Sequence, residues 1–232
     1  MSTDLRFPNE SPEYRQARDE LRDAEVELRR RTEAVAAQRR ALPLGGEIPD
    51  DYVFEEWDAA TAEVRPVRLS ELFADGQDTL LLYSFMFVPG AAGGPTDAPC
   101  PSCTSIIDAV DGAVPHLTQQ VSFAISAKAP VERLRAHAGV RGWQHARLLS
   151  SRGSTYNRDY GAEDEQESQF PLLTVFVRRD GKIHHFWTSE LWWAPRDEGQ
   201  DPRHVDFMWP LWHLLDRGPN GRGGWHPELS YD

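Results

Sequence analysis

The sequence predicts an α/β fold: parallel strands closed by an antiparallel hairpin, helices on both faces, and a long helix in front. Three observations predict it. Unbroken apolar runs alternate with helical patterns through the middle of the chain. An Asp180-Gly181 turn joins the last two strand patterns. A heavily charged stretch with helical periodicity precedes them all.

That first stretch reads as a helix over Pro12–Arg40. Ser11 caps it and Pro12 suits its first position. Tyr14, Ala17, Leu21, Ala24, Leu28 and Val35 form one stripe, interrupted by Arg31, and Leu42-Pro43 with Gly45-Gly46 end it. Two readings stay open: an amphipathic helix lying on the domain, or an arm that pairs with a second copy. The expected organisation is an N-terminal helical arm over 1–46 and one domain over 47–232.

"DYVFEEW" and "VRLSELF" follow, the latter with Ser70 starting a helical turn. "TLLLYSFMF" (Thr79–Phe87) reads as a strand buried on both faces. "CPSCTSIIDAVDGAVPHL" reads as a helix with Ile106, Ile107, Val110 and Val114 on one side. "VSFAIS" is a second buried strand, "PVERLRAHAGV" a helix opened by Pro130, and "ARLLSS" a third strand. Right-handed crossovers make these three strands parallel. The acidic stretch from about 156 to 169 is expected to be a surface loop insertion. "PLLTVFVRRDGKIHHFW" is the hairpin, and "HVDFMWPLWHLLDR" is helical, divided by Pro210. The Gly- and Pro-rich tail is irregular.

Composition excludes several function classes. A net charge of −12 opposes nucleic acid as a partner, because phosphate binding needs a basic face. "TLLLYSFMFV" is too short to cross a bilayer. The N-terminus lacks the apolar core of a signal peptide, so a cytoplasmic protein is expected. In that compartment a close cysteine pair is more often catalytic or metal-binding than a staple.

The chain has two cysteines, Cys100 and Cys103, in "APCPSCTSIIDAV". With Cys100 at the N-cap, Pro101 takes the first helical position, where its missing N–H costs nothing. The free N–H groups of Ser102 and Cys103 then point back at the Cys100 sulfur, and the helix dipole adds positive charge. Thiols so placed ionise about one to several units below the free value of about 8.5. Cys103, one turn inside, is the more buried. An attacking thiol and a resolving thiol result, with no cofactor required. A structural zinc site needs four ligands, and two cysteines supply half. His184 and His185 are adjacent on a strand and point to opposite faces, so a copper site of two thiolates and one histidine is the remaining metal reading.

The order strand, Cys-x-x-Cys at a helix start, strand, helix, then "FPLLTVFVRRDGK" resembles the thioredoxin superfamily. "YSFMF", "PCPSC", "STYNRDYG" and "LLDRGPNGRG" are similar to a bacterial thioredoxin-like domain of unknown function, family 899, from about Asn9 to the C-terminus. The resemblance implies a thioredoxin-like sheet and a dithiol–disulfide oxidoreductase acting on a protein or small-molecule thiol or disulfide. It also implies a cis Phe170–Pro171 bond, with Pro171 facing the cysteines as a catalytic residue. The motif Cys-Pro-Ser-Cys departs from thioredoxin's Cys-Gly-Pro-Cys, so the redox potential does not carry over. "VPGAAGGPTDAP" before the motif is a long loop, able to act as a lid. Asp97 stands where peroxidases carry Thr or Ser, so disulfide exchange is expected over peroxide reduction.

Late tryptophans complete the candidates. Trp187, Trp192, Trp193, Trp209, Trp212 and Trp225 crowd the end of the chain, as core filling or as an aromatic pocket beside the cysteines, with Trp187, Trp192 and Trp193 near Pro171 the candidates for binding substrate. His213 and His226 read as structural, and Asp108 as exposed. Alternatives to the oxidoreductase are a copper-binding thioredoxin-like protein, or a scaffold or specialised-metabolism enzyme on the same fold. A homo-oligomer, a homodimer in the simplest case, is expected through the N-terminal arm.

Overall fold

Period-two burial decides the architecture. In the computed structural model, which describes residues 5–88 and 98–231, α1 (Pro12–Arg40) begins at Ser11, whose hydroxyl accepts from the Tyr14 amide at 3.2 Å. The chain divides into two compact units between Pro43 and Leu44. In the first, Arg15 is buried and donates to the Leu5 carbonyl at 2.9 Å, while Tyr14, Leu21 and Leu28 of the apolar stripe are exposed.

The second unit is built on a seven-stranded sheet. Its strands are β1 (Val53–Asp58), β2 (Glu63–Arg68), β3 (Thr79–Phe85), β6 (Ser122–Ala127), β7 (Leu148–Ser150), β8 (Leu173–Arg179) and β9 (Lys182–Thr188). The two-residue strands β4 (Phe87–Val88) and β5 (Ala98–Pro99) pair with each other outside it. The order across the sheet is β2-β1-β7-β6-β3-β8-β9. β3, β6 and β7 run parallel, as the crossover rule requires, and β8 joins β3 antiparallel. Asp180 and Gly181 both take positive φ, 52° and 76°, giving the hairpin twist expected between β8 and β9. This is a thioredoxin-like arrangement with an added edge.

The added edge is the β1–β2 hairpin, bound antiparallel to β7 through Glu55 and Glu56. Its pattern is too polar to announce a strand. β2 buries Val67 alone, and the buried Glu56 on β1 is neutralised by Arg147 at 2.8 Å and by Arg65.

Alternation sorts side chains to two cores. Tyr83 and Phe85 of β3, with Phe123 and Ile125 of β6, meet Cys103, Ile106 and Ile107 of α2 (Pro101–Asp111). Leu80 and Leu82 of β3 and Phe176 of β8 face the other way, onto Phe54 and Tyr156. Burying one such side chain contributes about 1.5–3 kcal/mol. Behind α2 come α3 (Val114–Leu117) and α4 (Val131–Arg141). Asp111 at the end of α2 accepts from the amides of Gln144, His145 and Ala146 at 2.9–3.0 Å, fixing the loop that enters β7.

The acidic insertion requires a correction. It is not simply a surface loop. It opens as α5 (Tyr156–Asp159), with Tyr156 and Asn157 buried, and Ala162 and Glu163 are buried after it. Glu163 is paired with Lys128, and the exposed residues are Arg158, Asp159 and the tip from Glu165 to Ser168. Tyr156 and Tyr160 overrule the local charge because they plug the far face of the sheet, their rings 5.5 Å apart. The long loop before the motif lies almost wholly in residues 89–97, outside the described residues, as does the lid reading placed on it. The predicted C-terminal helix is divided at Pro210, with a 3-10 turn at Asp206–Met208 and α6 (Pro210–Leu215).

Candidate functional site: a dithiol at a helix N-terminus

The chain leaves β3 at Met86, and the Met86 carbonyl accepts from the Cys100 amide at 3.0 Å. Gln169 spans the neighbouring residue: its amide group donates to the Phe87 carbonyl at 2.8 Å and accepts from the Phe87 N–H at 3.0 Å. The cysteines are thus hung on the C-terminal end of a central strand, where sheet and helix termini meet. Cys100 has extended backbone, φ −66° and ψ 125°, and is the N-cap of α2. Pro101 starts the helix, and the Cys100 carbonyl accepts from the Thr104 amide at 2.9 Å.

Both thiols are free, Cys103 completely buried and Cys100 partly exposed. The hydrogen bond from the Cys103 thiol is the main cause that lowers Cys100 to about 7; burial opposes it, and the amides of Cys103 and Ser102 add to it. No capping hydrogen bond closes onto the Cys100 side chain, so these amides act through their field. Burial pushes Cys103 well above the usual thiol range, and the neighbouring Cys100 thiolate reinforces that. Behind Cys103 lies the Tyr83 hydroxyl, buried, without a closed hydrogen bond, its own ionisation pushed far up by burial.

Cys100 opens into a cavity of about 240 Å³ whose wall also includes Met86, Pro171, Trp192 and His204, with the buried Cys103 behind it. The C-terminal segment builds the far side with Trp209 and Trp212, whose ring centroids are 4.5 Å apart. The Trp209 indole N–H donates to the Ser105 hydroxyl at 3.0 Å, which ties that segment to α2.

Pro171 is in the cavity wall, but the predicted cis bond is corrected: the described residues contain no cis peptide. The Leu172 amide donates to the Phe170 carbonyl at 3.1 Å, so a tight three-residue turn centred on Pro171 reverses the chain with a trans bond. The His204 Nε2–H donates to the Pro171 carbonyl at 2.6 Å and holds that turn. Burial lowers the His204 pKa, so the ring is neutral.

The three tryptophans separate. Trp192 faces the cavity, edge-on to His204 at 4.8 Å. Trp193 points elsewhere, against Phe170 at 4.7 Å and into a second hollow with Tyr160 and His185. They sit side by side in the 3-10 turn Glu190–Trp193, where successive residues diverge by about 120°. Trp187 packs on β9 against Phe207 at 6.0 Å.

Trp209 and Trp212 put the late tryptophan cluster at the cysteines, whereas His204, Arg196 and Tyr83 belong to the site without a local sequence signal. His226 also lines the cavity, whereas His213 lies 3.8 Å from Asp206. Asp108 is exposed as expected and holds Arg141 at 3.1 Å and the Trp143 indole at 2.8 Å. Among the described residues no three His, Cys, Asp or Glu side chains converge as a metal cradle. His184 approaches the Gly45 carbonyl at 3.2 Å and His185 the Thr188 hydroxyl at 2.8 Å, so neither is a third ligand to the thiols. No described helix is long and apolar enough to cross a membrane.

A family model described as a bacterial protein of unknown function, DUF899, matches residues 5–230. No curated protein matches the sequence. The structure is similar to thioredoxin peroxidase I of Plasmodium yoelii, with a TM-score of 0.44 and 15% identity over 82% of this chain and 99% of that one. It is also similar to the peroxidoxin BcpB of Mycobacterium tuberculosis, with a TM-score of 0.43 and 19% identity over 72% and 94% of the two chains. Likenesses this distant say nothing of the chemistry, which rests on the site itself.

Proposed function

The chain belongs to the DUF899 family of bacterial proteins, and on that premise we propose that it is a cytoplasmic dithiol–disulfide oxidoreductase with Cys100 as attacking thiol and Cys103 as resolving thiol. One observation carries the proposal: two thiols one helical turn apart, the outer lowered to about 7 and open to a cavity, the inner buried. The Cys100 thiolate attacks one sulfur of a disulfide R–S–S–R. A Cys100–S–S–R bond forms, the original S–S bond breaks, and R–S⁻ leaves to take a proton from water. Cys103 then loses its proton and attacks the Cys100 sulfur. The intramolecular disulfide forms and the second R–S⁻ departs, so the substrate gains the two electrons the dithiol loses. Pro171, held by His204, and Trp192 shape the space beside the mixed disulfide. No metal or cofactor is part of this scheme. Trp187 and Trp193 have no place in it.

Mass spectrometry of single variants after exposure to an oxidised thiol tests the assignment. Cys103→Ser is expected to carry one adduct on Cys100 and stall; Cys100→Ser is expected to carry none. An adduct on Cys103 in Cys100→Ser, with Cys100 unreactive in Cys103→Ser, reverses the roles.

We also propose self-association through α1, supported by the exposed stripe of Tyr14, Leu21 and Leu28. Light scattering is expected to give at least a dimer; a monomeric mass removes the proposal.

A further inference from the structure

The cavity beside Cys100 is lined by two arginines, Arg196 and Arg203, and two aspartates, Asp201 and Asp206, and their pairing narrows the substrate. Its apolar wall joins three tryptophans, Trp192, Trp209 and Trp212, to Met86, Ile106 and Val205. Its two carboxylates are already matched, Asp201 by Arg222 at 3.1 Å and Asp206 by Arg203. His204 donates its Nε2–H to the Pro171 carbonyl, and burial favours its neutral form. Arg196 is different. Its guanidinium lies 5.4 Å from the centre of the Trp192 ring and makes no ion pair with a described carboxylate. An arginine without an ion pair therefore sits at the edge of an apolar, tryptophan-bearing cavity that ends on a reactive sulfur. The cavity's 240 Å³ exceeds the roughly 150 Å³ of a protein cavity that holds benzene, enough for one arm of a small organic disulfide.

We propose that the substrate is a low-molecular-weight disulfide bearing a carboxylate, one arm lying against Trp192 with its sulfur at Cys100 and its carboxylate at Arg196. The inference rests on the oxidoreductase reading above and uses the same balanced exchange: the disulfide arm joins Cys100, the first thiol leaves, and Cys103 expels the second. A planar guanidinium fits a carboxylate by paired N–H donors, and the Trp192 face already orients it.

The test uses the reduced full-length protein and three disulfides: 3,3′-dithiodipropionate, neutral 2-hydroxyethyl disulfide and cationic cystamine. Each second-order rate is divided by that of the same disulfide with free 2-mercaptoethanol at equal pH and ionic strength, which removes intrinsic reactivity. The normalised rate is expected to fall from dianion to neutral to cation, by about fivefold at the first step, and the spread should shrink with added salt. Arg196→Gln, a change at an exposed position, is expected to cut the dianion's advantage to about twofold or less. Equal normalised rates, or an advantage that survives Arg196→Gln, overturn the inference while leaving the dithiol chemistry standing. So does faster turnover of a protein disulfide such as that of insulin. Failure of all three compounds to yield a Cys100–Cys103 disulfide overturns the oxidoreductase reading itself, and this inference with it.

Discussion

The two faces of the sheet are built from the same strands, and each hides a tyrosine. Tyr83, on β3, points to the face that holds α2; Tyr156, on α5, covers the opposite face. Both are fully buried, and neither hydroxyl closes a hydrogen bond. Their neighbourhoods differ. Tyr156 sits among rings, with Phe54 at 5.3 Å, Tyr160 at 5.5 Å and Tyr52 at 5.9 Å. Tyr83 instead faces Cys103, beyond which Cys100 and the cavity open. Alternation along a strand can fill two cores equally well. Reactivity arises on the one that also receives a helix N-terminus and a hollow, because only there is a thiolate both stabilised and reachable.

The comparison is broken most severely by emptying the closed face. Tyr156→Ala is expected to lower unfolding stability by about 3–5 kcal/mol, the cost of a large aromatic truncated in a packed core. The midpoint of the Cys100 alkylation profile is expected to stay near 7 in the variant. Chemical denaturation checks the first and iodoacetamide kinetics the second. A moved midpoint would mean that the two faces are coupled through the sheet.

A pH series sharpens the open face. The Cys100 thiolate fraction should rise about tenfold between pH 6 and pH 8 for a group titrating near 7, and alkylation should follow. Cys103, pushed upward, is expected to stay unmodified over that range. The stability consequence has a definite sign. Cys100 ionises below its unfolded value, so its contribution is fully present above about pH 9 and is lost as pH falls through 7. Reduced wild type should therefore lose stability relative to Cys100→Ser as pH drops from 9 to 6. A flat difference would place Cys100 at an ordinary thiol pKa.

Much of this was legible in the sequence, and the rest was hidden for identifiable reasons. β3, β6 and β8 announce themselves because both faces are buried and their apolar runs are unbroken. The cysteines at the helix start follow from Pro101 and the N-cap rule. β1 and β2 stay silent because an edge hairpin buries few side chains and satisfies Glu56 with distant arginines. The cavity's far wall is half legible: the late tryptophans suggest an aromatic pocket, and Trp209 and Trp212 supply it, but His204 and Arg196 reach the cysteines from irregular backbone, a hundred residues on, with no periodicity to read. Trp192 and Trp193 look equivalent in sequence; a 3-10 turn separates them. The trans Pro171 turn departs from the resemblance because hydrogen bonds from Leu172 and His204 reverse the chain by another route.

The smallest and most specific effect is expected at Tyr83. Cys103 must become a thiolate to attack, in a site where burial opposes that charge. The Tyr83 hydroxyl is the buried donor on its inner side, with no other closed partner. Donation from it stabilises the Cys103 thiolate at the moment of resolution, while the reduced resting state does not depend on it. Tyr83→Phe should therefore slow release of the second thiol from the Cys100 mixed disulfide by about three- to tenfold, the worth of one hydrogen bond of about 1 kcal/mol. It should leave the rate of the first thiol's release within about twofold. It should also move the pH profile of the resolving step upward, since Cys103 then ionises with less help. Stability should not fall and is expected to rise by about 1 kcal/mol, because the lost hydroxyl was buried and unsatisfied in the resting core. Tyr156→Phe is the control from the closed face, expected to change neither step. Single-turnover quench experiments with a chromogenic disulfide separate the two releases. If Tyr83→Phe and Tyr156→Phe behave alike in the second release, the hydroxyl behind Cys103 only fills space and the two faces differ in access alone.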